Sequence, residues 1–421
     1  VSPASNSLPA PGRPCVLLLW ALFLAALSGC SLAGRGDSPH ATEHTYAHRL
    51  LPDITYDLRT AMTLDDGALV ARLAPVTLLF LGEHHTDPRS HAFQAALLRS
   101  LAASGRKITV GLEMFPPSAD PALDAWRTGA LSETEFLERS GWYEHWGFPW
   151  GYYREVFQTL RDLRLPVRGL NADNDTRKAV REGKLDTLSA EARAELGDLE
   201  APLEPHRDYV ADILSGGGHS VDLEPGAPAF QRYYRVQRMW DRLMGLRAAR
   251  LAEQQPPQGL VVVLIGSGHL AWGLGANLHA ARALDPARVG SMLTLWDDVL
   301  PPEKKDAQGR LPLPVGMADL ARVYEKPAES DRYPSLAGVT LEPPAESPGL
   351  RVKSLFLPAH AALSALKAGD RILSLNGVPM KSATALRLAY ETLPFNTPAR
   401  IEIQREGVTM TVEITPRPSP H

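Results

Sequence analysis

The chain has 421 residues, of which 44% are apolar, 22% charged and 7% aromatic, with a net charge of −4. That composition excludes wholesale disorder and leaves room for two or three domains, each with its own core. The acidic balance, the pI near 6.4 and the lack of a long Lys/Arg run exclude nucleic-acid binding through a basic face. The two cysteines, Cys15 and Cys30, both lie close to the N-terminus, so no disulfide framework or thiolate metal site is expected.

Residues 15–27 form a short apolar run after Arg13. It is too short for the roughly 20 residues of a spanning helix, and it fits the apolar region of a secretory signal. Leu27-Ser28-Gly29-Cys30 then resembles a bacterial lipobox. The expectation is that residues 1–30 are a lipoprotein signal peptide and that Cys30 is acylated, holding the mature protein on a membrane of the cell envelope. Ser31, in place of the Asp associated with inner-membrane retention, favours the outer membrane.

After a polar stretch, short runs rich in Val, Ile and Leu alternate with helical patterns. The runs are Val76–Leu81, Ile108–Leu112, Val167–Leu170 and Leu260–Ile265. The helical patterns cover Ser90–Ala103, Gly151–Arg164 and Phe230–Leu251. This alternation predicts an α/β fold with a largely parallel sheet flanked by helices. The stretch from about Asp173 to Ala252 is too long for one crossover and predicts an inserted helical subdomain. Pro- and charge-rich sequence over 301–334 marks a boundary, with one further strand of the first domain near Arg322–Tyr324. A small α+β unit over about 335–417 follows, with strands at Val339–Leu341, Arg351–Leu355, Arg371–Leu375 and Arg400–Gln404.

Polar clusters fall at the ends of four predicted strands: Gly82-Glu83-His84-His85, Glu113, Asn171-Ala172-Asp173 and Gly266-Ser267-Gly268-His269. In an open parallel sheet these are carboxyl ends, where α/β folds place ligands. Glu83, His85, Glu113 and His269 are therefore expected in one cleft, bordered by Asp173 and by Gln237 and Asp241, which share one helix face. Two imidazoles and two carboxylates suit either a metal site or an acid–base pair. The stretch Trp142, Tyr143, Trp146, Phe148, Trp150, Tyr152, Tyr153 reads either as core packing or as a flat apolar binding surface.

Leu81-Gly82-Glu83-His84-His85-Thr86-Asp87, Gly111-Leu112-Glu113-Met114-Phe115 and Gly266-Ser267-Gly268-His269 resemble the ChaN family of haem-binding iron-uptake lipoproteins. That family lies in the Tiki/ChaN/erythromycin-esterase superfamily, marked by two Gly-x-x-His motifs and an intervening Glu. The Trp146…Trp150…Tyr153 segment and Gln237-x-x-x-Asp241-x-x-Met244 are similar as well, and the resemblance covers about 48–327. It implies haem as cofactor, held by an axial His or Tyr, with His85, His269 and Tyr153 as candidates. The superfamily's hydrolytic branches imply the alternative of a metal-dependent hydrolase. There Glu83, His85, Glu113 and His269 would be catalytic, and a divalent ion would rest on His85, Glu113 and His269.

Lys367-Ala368-Gly369-Asp370-Arg371-Ile372-Leu373-Ser374-Leu375-Asn376-Gly377 resembles the most recognisable segment of a bacterial PDZ domain. Leu336, Gly338 and Val339 lie where that family keeps its carboxylate-binding loop, although Ala337 makes this loop longer than usual. The resemblance implies a peptide or protein C-terminus as partner, added as a strand beside Val339 and facing a helix near Ser382–Tyr390.

Overall fold

The computed structural model describes residues 46–47, 50–199, 203–216, 224–298, 311–312, 314, 316–328, 331–336, 338–342, 349–355 and 365–416. The expected signal peptide, with Cys15 and Cys30, lies outside the described residues, as does Ala337.

Eight strands form the main sheet: β1 (Thr55–Asp57), β2 (Thr63–Leu64), β3 (Leu78–Glu83), β4 (Lys107–Leu112), β5 (Val167–Gly169), β6 (Gly259–Gly266), β7 (Val289–Trp296) and β8 (Leu320–Tyr324). Their order is β2-β1-β8-β7-β3-β6-β4-β5. Every pairing from β8 to β5 is parallel, and among the described strands only β1, antiparallel to both β8 and β2, runs the other way. The largely parallel α/β sheet expected from the alternation is thus present.

The central strands are parallel because both of their faces are covered. All of Leu78–Glu83 and all of Gly259–Gly266 are buried, so these strands read as continuous apolar runs rather than alternating ones. Leu79, Leu81, Val262 and Leu264 face one core, while Leu78, Phe80, Val261, Val263 and Ile265 face a second. Between the strands run α1 (Asp66–Arg72), α2 (Pro88–Ala103), α3 (Asp120–Arg127), α4 (Glu133–Ser140), α5 (Trp142–His145) and α6 (Arg154–Asp162). After β5 come α7 (Asn174–Glu182), α8 (Ala190–Leu196), α9 (Glu204–Gly216) and the 26-residue α10 (Pro228–Glu253), followed after β6 by α11 (Ala276–Ala283). Helices α7 to α10 are the inserted helical stretch.

The helix boundaries follow local chemistry. Asp87 caps α2 by accepting from Arg89 N–H, and Pro88 occupies the first turn, where no amide partner is needed. Ser132 and Glu135 form a reciprocal capping box on α4, and Gly141 ends that helix in the left-handed conformation. The aromatic stretch is core: Trp142, Trp150 and Tyr153 are fully buried, and Trp146, Phe148 and Tyr152 nearly so. Trp142 and Trp150 meet each other and Phe157 or its neighbours Phe115 and Phe136 at tilted to edge-to-face angles, arrangements that favour aromatic rings beyond their burial alone.

A second sheet follows, with β9 (Val339–Glu342), β10 (Leu350–Leu355), β11 (Arg371–Leu375), β12 (Val378–Pro379), β13 (Ala399–Arg405), β14 (Val408–Ile414) and one helix, α12 (Ala383–Glu391). The order is β9-β10-β11-β13-β14, with β12 on β11, and every pairing is antiparallel. Alternate residues Leu350, Val352, Ile401 and Ile403 turn inward to a separate core with Ile372, Leu386 and Tyr390. Among the described residues no helix is long and apolar enough to cross a membrane.

Candidate functional site

Strand direction brings the expected residues together. Glu83 ends β3, His85 follows it, Glu113 follows β4 and His269 sits in the turn after β6, all at the carboxyl edge. All four are buried, with Glu83 and His269 fully enclosed.

Glu83 continues the Leu79–Leu81 face of β3 towards α2 and the aromatic segment, and four side chains meet it there. Tyr153 donates its hydroxyl to Oε1 at 2.6 Å, and His85 Nδ1 lies 3.1 Å from the same oxygen. Gln94 donates to Oε2 at 2.7 Å, and His91 Nδ1 lies 3.4 Å away. Burial alone would raise the Glu83 pKa, but the His91 charge and the hydrogen bonds from His85 and His91 outweigh it. The carboxyl is held well below the usual range and stays ionised. With Nδ1 on Glu83, the His85 ring is fixed between Trp146 and Phe148, each 4.8 Å from its centroid.

The second cluster is built on His269. Its Nε2 lies 3.1 Å from Glu113 Oε1 and its Nδ1 2.5 Å from Asp241 Oδ1. Gln237 Nε2 is 2.9 Å from the same Nδ1, and His206 of α9 reaches Asp241 Oδ2 at 3.0 Å. Burial works against the charged imidazole, but the Glu113 and Asp241 carboxylates push its pKa up to about 10. An imidazolium held between two carboxylates has no proton-accepting nitrogen. The general-base role that either expected histidine could play therefore cannot rest on His269 in this state.

Gly266 joins the two clusters. Its amide donates to Glu113 Oε2 at 2.6 Å, and the His85 ring lies against its α-carbon. A β-carbon there would come within 2.7 Å of His85 Cε1 and 2.9 Å of Nε2, so the first glycine of Gly266-x-x-His269 exists to seat the other motif's histidine. Gly266→Ala is expected to destabilise the protein by about 1–3 kcal/mol through overpacking. Urea denaturation checks this, and a wild-type midpoint would contradict it.

Not every expected neighbour takes part. Gln237 and Asp241 border the cleft as their spacing predicts, but Asp173 is exposed and caps α7 by accepting from Thr176 N–H. Asn171 replaces it at the rim, donating to the Glu113 carbonyl at 2.8 Å. Tyr153 and His269, expected as cofactor ligands, are fully buried with their polar atoms on Glu83 and on Glu113 and Asp241. His91, Gln94 and His206 are site residues that the strand-end pattern does not reveal, because they come from helices. Their one signal is a polar side chain on an otherwise apolar helix face. Among the described residues no group of three or more His, Cys, Asp or Glu side chains is arranged to hold a metal ion. The expected set of His85, Glu113 and His269 is tied instead by Glu113 bonding both His269 and the Gly266 amide.

His84 is the least enclosed of the clustered histidines, at 9% exposure against 2% or less for His85, His91, His206 and His269. It stacks on Trp296, at the end of β7, with ring centroids 4.2 Å apart. Trp296 is fixed by donating to Asp87 at 2.9 Å, and Lys326 covers its ring at 5.4 Å. Burial lowers the His84 pKa to about 4 against the pull of Asp87, so the imidazole is neutral at pH 7. Its Nδ1 has no hydrogen-bond partner among the described residues.

A family model described as "Haem-binding uptake, Tiki superfamily, ChaN" matches residues 69–279, half of the chain, and spans both Gly-x-x-His motifs, Glu113 and Asp241. The chain belongs to this ChaN family of haem-binding uptake proteins. Among solved structures, ChaN of Campylobacter jejuni, described with cofacial haem binding, is 16% identical with a TM-score of 0.48 over 65% of this chain and 97% of that one. An erythromycin esterase in its open conformation is 13% identical with a TM-score of 0.33, over 58% of this chain and 76% of that one. A 66-residue stretch is 38% identical to the periplasmic serine endoprotease DegP of Salmonella typhimurium, covering 16% of this chain and 14% of that protease's length. The donor set at the edge beside β7 suits a haem. The neutral His84 supplies an orphaned ring nitrogen, and Arg89 and Lys326 are cations nearby for carboxylate groups.

Proposed function

We propose that this chain binds haem at the carboxyl edge of its main sheet, beside His84 and Trp296, and serves iron acquisition from the cell envelope. The observation that carries the reading is the neutral His84 imidazole stacked on Trp296, with no protein partner on Nδ1 among the described residues. Haem when bound would supply an iron that such a nitrogen could ligate. The chain's own residues supply the rest. Trp296, pinned by Asp87, sets the plane of His84. Arg89, which donates to the Glu325 carbonyl, and Lys326, paired with Asp298 at 3.1 Å, place positive charge at the same rim. The Glu83 and His269 clusters lie behind this rim as a fixed polar floor, because every carboxylate in them is held by an imidazole, an amide or a hydroxyl.

The lipobox-like Leu27-Ser28-Gly29-Cys30 supports a lipid anchor at Cys30, with the outer membrane favoured by Ser31. The C-terminal unit over 335–417 is proposed to be a PDZ-like peptide-binding module. Support comes from its antiparallel sheet with a single described helix and from Gly338, whose φ of 82° only glycine adopts without strain. The DegP likeness has the size of one such module and not of a protease.

Titration of haem into the purified full chain tests the function. The expected result is a saturable, red-shifted Soret band at stoichiometric haem. Absence of any shift at micromolar protein overturns the reading.

A further inference from the structure

Helix α12 of the C-terminal unit holds two contacts of different kinds. Arg387 donates from Nη1 to the Leu336 carbonyl at 3.3 Å and from Nη2 to the Val339 carbonyl at 3.1 Å. Its guanidinium also lies 5.2 Å from the Tyr143 ring centroid. One turn on, the buried Glu391 accepts the Tyr143 hydroxyl at 2.8 Å and the Gly151 amide at 3.4 Å. Tyr143 and Gly151 belong to the segment whose Trp146 and Phe148 hold His85 and whose Tyr153 bonds Glu83. Tyr333 adds a further tie, since its ring lies against Gly151 and its amide donates to Tyr152 at 3.0 Å.

Among the described residues strand β9 is the edge of the second sheet, paired only with β10. An extended chain could lengthen the sheet there. The Val339 carbonyl, at the start of that edge, is already taken by Arg387. We propose that an extended peptide ending in a free carboxylate docks on β9 by drawing Arg387 off the Leu336 and Val339 carbonyls. The displacement is then passed through Tyr143 and Glu391 to the segment that holds His85. This inference rests on the peptide-module reading of the C-terminal unit. The occupant follows from charge: Arg387 is partly exposed and bonded to two neutral carbonyls, and a carboxylate is the stronger acceptor for a guanidinium. Pairing with the peptide terminus frees the edge carbonyl for the incoming backbone in the same motion. Because one helix carries both Arg387 and Glu391, a shift of the first disturbs the second.

Hydrogen exchange on the full chain tests this, using a degenerate decapeptide library with free carboxyl termini and the same library amidated. The free-acid library is expected to slow exchange over 338–342 and to change exchange over 142–153 by about fivefold or more. The amidated library is expected to do neither. Tyr143→Phe should keep the effect at 338–342 and lose the one at 142–153. Protection of 338–342 with unchanged exchange at 142–153 in the wild type overturns the coupling and leaves the module reading standing. Equal protection by both libraries overturns the role of Arg387. No protection by either library overturns the proposal and the module reading together.

Discussion

Replacing His269 with Asn is expected to cost about 3–5 kcal/mol of folding stability. The imidazolium is the shared cation between Glu113 and Asp241, both buried. A neutral amide of smaller reach leaves two carboxylates facing each other with their charge uncompensated, which is the costly way to break a buried ion pair. Asp241 retains His206 and Glu113 retains the Gly266 amide, so the loss stays within that range rather than preventing folding. The double variant Asp241→Asn/His269→Asn should lose less than the sum of the two single changes, because the second substitution removes a charge that the first has stranded. Urea denaturation of the four proteins measures this. A single-variant loss below about 1 kcal/mol, or strict additivity, would show that the three groups do not share a charge.

The same triad predicts how stability depends on pH. His269 is raised from 6.5 to about 10 in the folded chain, so between these values the native state binds a proton that the unfolded state has released. Stability from this group is fully present below pH 6.5 and is lost as pH rises towards 10, with a limiting slope of about 1.4 kcal/mol per pH unit. His269→Gln should flatten that part of the curve. If denaturation midpoints measured from pH 6 to 10 fall in parallel for both proteins, the imidazolium is not the group responsible.

How far the sequence foretold the site depends on which elements carry it. Strands β3, β4, β5 and β6 were legible because buried parallel strands are unbroken apolar runs, and the polar residue ending each run marks the functional edge. The convergence of Glu83, His85, Glu113 and His269 followed from topology alone. Strand β7 was not legible, because Gly290, Ser291 and Thr294 interrupt its pattern, while the hydroxyls of Ser291 and Thr294 serve Asp319, Ser90 and Gly82. Missing β7 hid Trp296, and with it the surroundings of His84. The helix-borne partners His91, Gln94 and His206 were hidden for another reason: a buried polar residue on a helix looks like a defect in amphipathicity until its partner is placed. The aromatic stretch had two readings, core or binding surface, and packing decided for core. Its Trp146 and Phe148 rings pack against His85. The tie between α12 and that stretch joins residues some 240 positions apart, so no local pattern could report it.

On the proposed function haem meets His84 beside Trp296 and not the sealed Glu83 cluster. Electron paramagnetic resonance of the ferric haem complex, recorded for the wild type, His84→Ala and His84→Met, tests it most directly. The predicted result is a nitrogen-ligated spectrum in the wild type, its loss in His84→Ala with haem affinity weakened about tenfold or more, and a distinct thioether-ligated spectrum in His84→Met. Wild-type spectra and wild-type affinity in both variants would contradict the claim.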